Sequence, residues 1–160
     1  MRLKQAAAEQ LLLQELAALY AEVDALYAGW SCPSSSECCR FGITGKQPFV
    51  TSIEVAALER AISRRGGLPS KKSRALPLTD DAEKERMCPL LTREGKCSVY
   101  ADRPLGCRTF YCNRATPGDG PGRGQLTAID QQLLELASRH RFDGDASRPL
   151  VHVLRGWPSS

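Results

Sequence analysis

The sequence lacks a long uninterrupted apolar run. Its most apolar stretch, residues 11–30, is interrupted by four polar or acidic residues, Gln14, Glu15, Glu22 and Asp24. A helix that crosses a bilayer needs about 20 predominantly apolar residues. We therefore expect no membrane span.

A secretory leader is not indicated either. Arg2 and Lys4 precede a stretch rich in Ala and Leu, but Glu9 and Gln10 interrupt it and no small-residue cleavage site follows. We therefore expect a cytoplasmic protein. Thiols stay reduced in that compartment and are free to bind metal or to react.

Cysteine is too scarce for a small disulfide scaffold. The chain has seven cysteines in 160 residues, whereas such scaffolds contain more than roughly 8–10% cysteine. Seven is also an odd number, so complete internal pairing is impossible. A chain of this length buries roughly 70% of its unfolded surface around one core and does not need bridges merely to fold. The cysteines therefore require another explanation.

Charge and catalytic patterns are sparse as well. The net charge of +4 is modest and dispersed, so a nucleic-acid partner is not expected. The sequence has no Cys-x-x-Cys redox motif, and its two histidines, His140 and His152, lie far from the cysteines. No Ser/His/Asp or paired-carboxylate arrangement follows from the spacing. These absences favour a binding module over an enzyme.

Three helices are predicted. The first covers residues 2–28, with apolar residues recurring every three or four positions and Gly29 suited to end it. This apolar stripe has two interpretations: packing within the chain, or association with a second copy or another protein. The second helix begins at the capping-box pair Thr51 and Glu54 and ends before Gly66. The third covers residues 127–141 and places His140 on its apolar face.

The other segments are expected to be irregular. Residues 67–80 are predicted to form a loop, 117–124 a flexible linker and 150–154 a short terminal strand. The predicted fold class is α+β, predominantly α: a small helical domain with short strands around an irregular centre organised by cysteines and metal. We expect one domain, 1–160, with a leading helix at 1–30, a cysteine core at 31–115 and a linker, helix and strand at 116–160.

The cysteines form two groups separated by a predicted helix. Thiolates are soft ligands for zinc, iron and iron–sulfur clusters. Only the last two have the close spacing of a zinc knuckle, and clusters accept more irregular spacing. An iron–sulfur cluster or iron is therefore our first expectation and zinc the second. The candidate metal ligands are Cys32, Cys38, Cys39, Cys88, Cys97, Cys107 and Cys112.

Basic residues flank these cysteines. A nearby positive charge favours the thiolate that a metal requires, although the same residues would also suit an ordinary surface. For His140, the expected role is a hydrogen-bonded core histidine and not a metal ligand. The basic residues one or two positions from a cysteine are Arg40, Lys96, Arg108 and Arg114.

The segment from Gly95 to Cys112, GKCSVYADRPLGCRTFYC, resembles the G-x-C-x-[IV]-Y-x-x-R-P-x-x-C-R-x-[FY]-x-C core of the YkgJ-type cysteine-cluster family. The family is also known by its signature C-x-x-C-x-x-C-C. The resemblance covers roughly residues 10–115 and implies a domain that chelates zinc or iron. It also implies supporting roles for Arg103, as a hydrogen-bond donor to a thiolate or carbonyl, and for Pro104, as a turn former.

One position departs from the family signature. The second cysteine of C-x-x-C-x-x-C-C falls on Ser35, so this chain has seven thiols where the resemblance implies eight. The gap would lower the affinity for metal or leave an open coordination position.

Two functions follow from the resemblance. The first is a metal-binding module that serves structure, metal handling or electron transfer. The second is part of a metal-cluster-dependent enzyme, since the family is similar to the cysteine-rich region of flagellin lysine N-methylases.

Overall fold

The computed structural model describes residues 2–31, 36–69, 87–110, 118–155 and 157. In chain order, helix α1 covers Arg2–Leu26, a 3₁₀ turn Glu37–Cys39, α2 Phe41–Thr44, strand β1 Phe49–Val50 and α3 Ser52–Arg64. A second 3₁₀ turn, Tyr100–Asp102, precedes α4, Leu105–Arg108. Helix α5 covers Arg123–His140, β2 Arg148–Pro149 and α6 Leu150–Leu154. The predicted fold class, a predominantly helical α+β domain, is confirmed.

Helix α1 packs within the chain. Leu12, Leu16, Leu19 and Val23 are buried in one apolar cluster, together with residues of α3 and α5. The first interpretation of its apolar stripe is therefore confirmed. These side chains are already covered, so the stripe gives no support for association with a partner. Among the described helices, none combines the length and apolar character that a membrane crossing requires.

Helix α3 begins where its sequence signal predicts. The Glu54 carboxylate accepts a hydrogen bond of 2.9 Å from the backbone N–H of Thr51, the reciprocal contact of a capping box. Glu54 is almost fully buried. It therefore lies in the protein interior, although it caps a helix.

Helix α5 begins earlier than predicted, at Arg123 and not at 127. The Gln125 side chain accepts a 2.9 Å hydrogen bond from the N–H of Gly122 and caps the new start. The predicted linker at 117–124 therefore includes the first turn of a helix. The predicted loop at 67–80 lies outside the described residues from position 70 onward.

The predicted terminal strand at 150–154 is wrong, because these residues form α6. The strand lies just before it, where Arg148 and Pro149 pair antiparallel with Val50 and Phe49 of β1. Pro149, with φ of −56°, then leads directly into the helix. Leu150 and Leu154 of α6 are buried in a second apolar cluster.

Candidate metal centre

Backbone contacts bring Cys88 to the first cysteine group. Arg40 and Met87 form an isolated antiparallel bridge. The N–H of Cys88 donates a 2.8 Å hydrogen bond to the carbonyl of Cys39. The two groups, which are distant in sequence, are therefore joined through the backbone at this point.

A tight turn brings Cys97 to the same place. Leu91 and Cys97 form a second isolated bridge, and the N–H of Thr92 bonds the carbonyl of Lys96 at 2.8 Å. Gly95 closes the turn with φ of +72°, a conformation that other residues adopt only at a cost. This requirement gives a physical reason for the glycine two positions before Cys97 in the family motif.

Cys107 lies in α4, which is held to the rest of the chain by Glu54. One carboxylate oxygen of Glu54 accepts hydrogen bonds from the N–H of Leu105 at 2.8 Å and from the hydroxyl of Tyr20 at 3.1 Å. The other accepts from the N–H and hydroxyl of Thr51. One buried carboxylate thus connects α1, α3 and the helix that carries Cys107.

A cavity of about 840 Å³ lies where these segments meet. All the described cysteines line it, so both groups contribute thiols to one site. Cys32, Ser35 and Cys112 lie outside the described residues. The lining cysteines are Cys38, Cys39, Cys88, Cys97 and Cys107.

The thiols face one cavity without closing around a single point. The Sγ atoms of Cys38 and Cys39 are 4.0 Å apart. Within the described ranges, no three Cys, His, Asp or Glu side chains are grouped closely enough to hold one ion. The described cysteines therefore line one cavity, but they do not form a closed set of ligands around one point.

The surroundings of Cys38, Cys39, Cys97 and Cys107 raise the pKa of each thiol and favour its protonated form. The hydrogen bond with Cys39, followed by burial, raises the pKa of Cys38. The hydrogen bond with Cys38 lowers the pKa of Cys39. The hydrogen bond with Cys88 and burial act in the opposite direction, and together they raise the pKa to about 12. Burial also raises the pKa values of Cys97 and Cys107. Metal binding here must therefore displace protons, as thiolate coordination requires.

Arg103 is the arginine that faces the thiols. It lines the cavity, and its charge lowers the pKa values of Cys38, Cys97 and Cys107 against the larger effects that raise them. Its guanidinium lies 3.7 Å from the ring centroid of Tyr100. Its buried Nε atom has no hydrogen-bond partner among the described residues. A cationic donor without a hydrogen-bond partner, whose charge acts on three thiols, fits a negatively charged metal–thiolate centre.

Arg108 has a different role from the one that its position beside Cys107 suggests. Its Nη1 lies 2.5 Å from the Asp24 carboxylate, and its Nε donates to the carbonyl of Arg103 at 2.7 Å. Its Nη2 donates to the carbonyl of Ala101. The guanidinium also lies 4.2 Å from the ring centroid of Tyr20. Arg108 therefore connects the cysteine segment to α1. Its hydrogen bonds are made to the Asp24 carboxylate and to backbone carbonyls.

The other basic candidates differ in position. Lys96 is exposed and lines the cavity. Arg40 is exposed and is not among the residues that line it, and Arg114 lies outside the described residues. His140 has its Nδ1 atom 2.9 Å from the Ser52 hydroxyl, which confirms the expectation of a hydrogen-bonded histidine. Proximity to a cysteine in the sequence was therefore a poor guide to which basic side chain lies beside the thiols, because the fold determines where each long side chain points.

Comparison with known proteins supports metal binding by this chain. Residues 31–132 match the CxxCxxCC family, which is described as a "Putative zinc- or iron-chelating domain". No curated protein and no solved structure matches the chain. The family description supports metal binding and includes both zinc and iron. Because the match covers well over half of the chain, this protein belongs to the CxxCxxCC family.

Proposed function

We propose that this protein is a metal-binding module that holds an iron–sulfur cluster or iron through cysteine thiolates, with zinc as the alternative. The observation that carries the proposal is the convergence of both cysteine groups on one cavity. The cysteines outside the described residues complete the set by their place in the sequence. The proposed ligands are drawn from Cys32, Cys38, Cys39, Cys88, Cys97, Cys107 and Cys112.

The sequence spacing of the cysteines supports a cluster as the first choice. Only Cys107 and Cys112 have the close spacing of a zinc knuckle. A cluster distributes its thiolate ligands over several irons and a larger volume, so it accepts the wider spacings. The Sγ atoms of Cys38 and Cys39 are 4.0 Å apart, which also suits two ligands of one ion, and zinc therefore stays the alternative.

The surrounding residues would control the centre. Arg103 would donate its unsatisfied Nε hydrogen to a metal-bound sulfur and offset part of the thiolate charge. Leu90, Val99 and Leu105 are buried in the cavity wall and would limit access of water. When bound, the metal group would cross-link the cysteine segments and supply electron transfer or Lewis acidity. The reduced thiols that it needs agree with a cytoplasmic location.

Anaerobic purification followed by visible absorption, metal analysis and acid-labile sulfide assay tests the proposal. We expect brown protein with broad charge-transfer absorption, iron and labile sulfide. Colourless protein with stoichiometric zinc would select the alternative. Folded protein that binds neither metal would refute the proposed function.

A further inference from the structure

The cavity extends beyond the thiols. Its far wall is apolar and comes from other elements: Phe49 of β1, Leu133 and Leu134 of α5 and Leu150 of α6. Its volume of about 840 Å³ lies within the range of roughly 300–1,000 Å³ that small-molecule sites occupy. A metal group held at bonding distance from the thiols would fill only part of this volume.

Large apolar side chains stand exposed at this cavity. Phe49 is 55% exposed, Tyr100 56% and Leu134 44%. All three line the cavity, although they come from separate parts of the fold. Exposed apolar side chains that gather at one concave site mark a binding surface. Their grouping indicates an occupant with an apolar body.

The charged groups of the cavity favour an anion. The Arg103 side chain makes no hydrogen bond or ion pair within the described residues, so its Nη groups remain available to a ligand when Nε donates to the metal centre. Lys46 and Lys96 also line the cavity, and the Nζ of Lys46 lies 5.0 Å from the ring centroid of Phe110. Of the lining acids, Glu54 already accepts four hydrogen bonds and Asp130 is exposed to solvent. The cationic donors are therefore the groups still available to a ligand.

We propose that the cavity binds, beside the metal centre, a small organic carboxylate with an apolar body. The body lies against Phe49, Leu133 and Leu134, and the carboxylate is directed towards the Nη groups of Arg103. The proposal rests on the proposed function, because the metal is taken to occupy the thiol end. It makes the protein a module in which a metal centre and an organic anion share one cavity.

Titration calorimetry on the metal-loaded protein tests this proposal with hexanoate as the probe. Hexanamide has the same apolar body without the charge, and inorganic phosphate has charge without the body. We expect measurable binding of hexanoate, at least tenfold weaker binding of hexanamide and no binding of phosphate. Equal binding of hexanoate and hexanamide, or absence of hexanoate binding, would overturn the proposal.

A pair of variants locates the site. Phe49→Ser removes an apolar side chain from the cavity mouth, and Phe142→Ser removes a fully exposed phenylalanine that lies elsewhere. We expect Phe49→Ser to weaken hexanoate binding at least fivefold and Phe142→Ser to leave it unchanged. Equal effects of the two variants would overturn the proposed location.

Metal content measured on the same samples separates the two proposals. Loaded metal without hexanoate binding would overturn the carboxylate site and leave the metal function standing. Hexanoate binding with the expected selectivity in protein that takes up no metal would refute the proposed function and support the organic site.

Discussion

The guanidinium of Arg108, the residue after Cys107, lies 2.5 Å from the carboxylate of Asp24, 84 positions earlier in the chain. Asp24 belongs to α1, which lies outside the residues 31–132 that match the family. Arg108 is nearly fully buried, whereas Asp24 is about half exposed. The leading helix therefore supplies a contact that holds the proposed metal-binding segment in place.

Asp24→Ala should destabilise the protein and weaken its hold on metal. The substitution leaves a buried Arg108 donor without its partner, which costs about 1–3 kcal/mol in the free energy of unfolding. Urea unfolding and competition with a chelator measure the two effects. Asp24→Asn keeps an acceptor oxygen and should recover part of both.

Glu15→Ala is the matched control for Asp24→Ala. Glu15 is also on α1 and pairs with Arg139 of α5, but both side chains are about half exposed and the pair does not touch the cysteine segment. Exposed pairs contribute about 0–1 kcal/mol. Metal affinity should therefore be unchanged in Glu15→Ala. Equal loss of metal in Asp24→Ala and Glu15→Ala would contradict a specific role for the Asp24–Arg108 pair in holding the metal-binding segment.

Arg103→Gln should lower metal affinity about 10–100-fold, the usual cost of removing a group that supports a metal ligand. The matched control is Arg40→Gln, which removes the same charge from an exposed position next to Cys39. Arg103→Lys keeps the charge and loses the Nε donor. Its visible spectrum should shift if that hydrogen bond reaches a metal-bound sulfur. Equal metal affinity in the two glutamine variants would contradict the role given to Arg103.

Glu54 should make stability depend on pH in a defined direction. Burial raises the pKa of Glu54 despite its four hydrogen-bond donors. The folded state then holds the proton more tightly than the unfolded state. The stability gained from Glu54 is fully present below the unfolded pKa of about 4.3, and is lost as the pH rises through the folded pKa.

The variant Glu54→Gln isolates this effect because its side chain does not titrate. Its amide N–H would face a backbone donor, so the variant should be less stable by about 1–3 kcal/mol at low pH. The difference in unfolding free energy from the native protein should shrink as the pH rises. Urea unfolding at matched metal content across the pH range measures it, and a difference that grows with pH would contradict the raised pKa.

Ser35→Cys tests the gap in the cysteine pattern. If position 35 is a vacant ligand position, the new thiol should raise metal content or resistance to chelators. Ser34→Cys is the control, because it adds a thiol one position away from the signature. The gap hypothesis fails if neither variant changes metal binding, or if both change it equally.

Local signals predicted the parts of the fold that local chemistry determines. The stripe of α1 and the Thr51–Glu54 pair identified two helices because spacing and capping depend on neighbours in sequence. The segment 150–154 was expected to be a strand because valine favours strands. In the structure the strand pairing with β1 ends at Pro149, whose φ of −56° suits the start of the helix that follows.

The cysteines of the candidate site could be proposed from the sequence, and the residues that support them could not. Cysteine grouping and the family motif gave seven candidate ligands without indicating which thiols share a site; the fold brings five of them to one cavity. The partners of Arg108 and the four donors around Glu54 come from segments distant in the sequence, so no local pattern reveals them. Arg108, the motif arginine beside Cys107, contacts α1, whereas Arg103, five residues earlier, lines the cavity with the thiols.

The central claim is that thiols from both cysteine groups form one metal centre. Metal and acid-labile sulfide analysis with visible absorption spectra of the variants Cys38→Ser and Cys97→Ser, one from each group, tests it most directly. We predict that either variant alone loses or alters the same metal centre, with the same change in metal content and spectrum. Full retention of the centre in one of the two variants would contradict a shared centre.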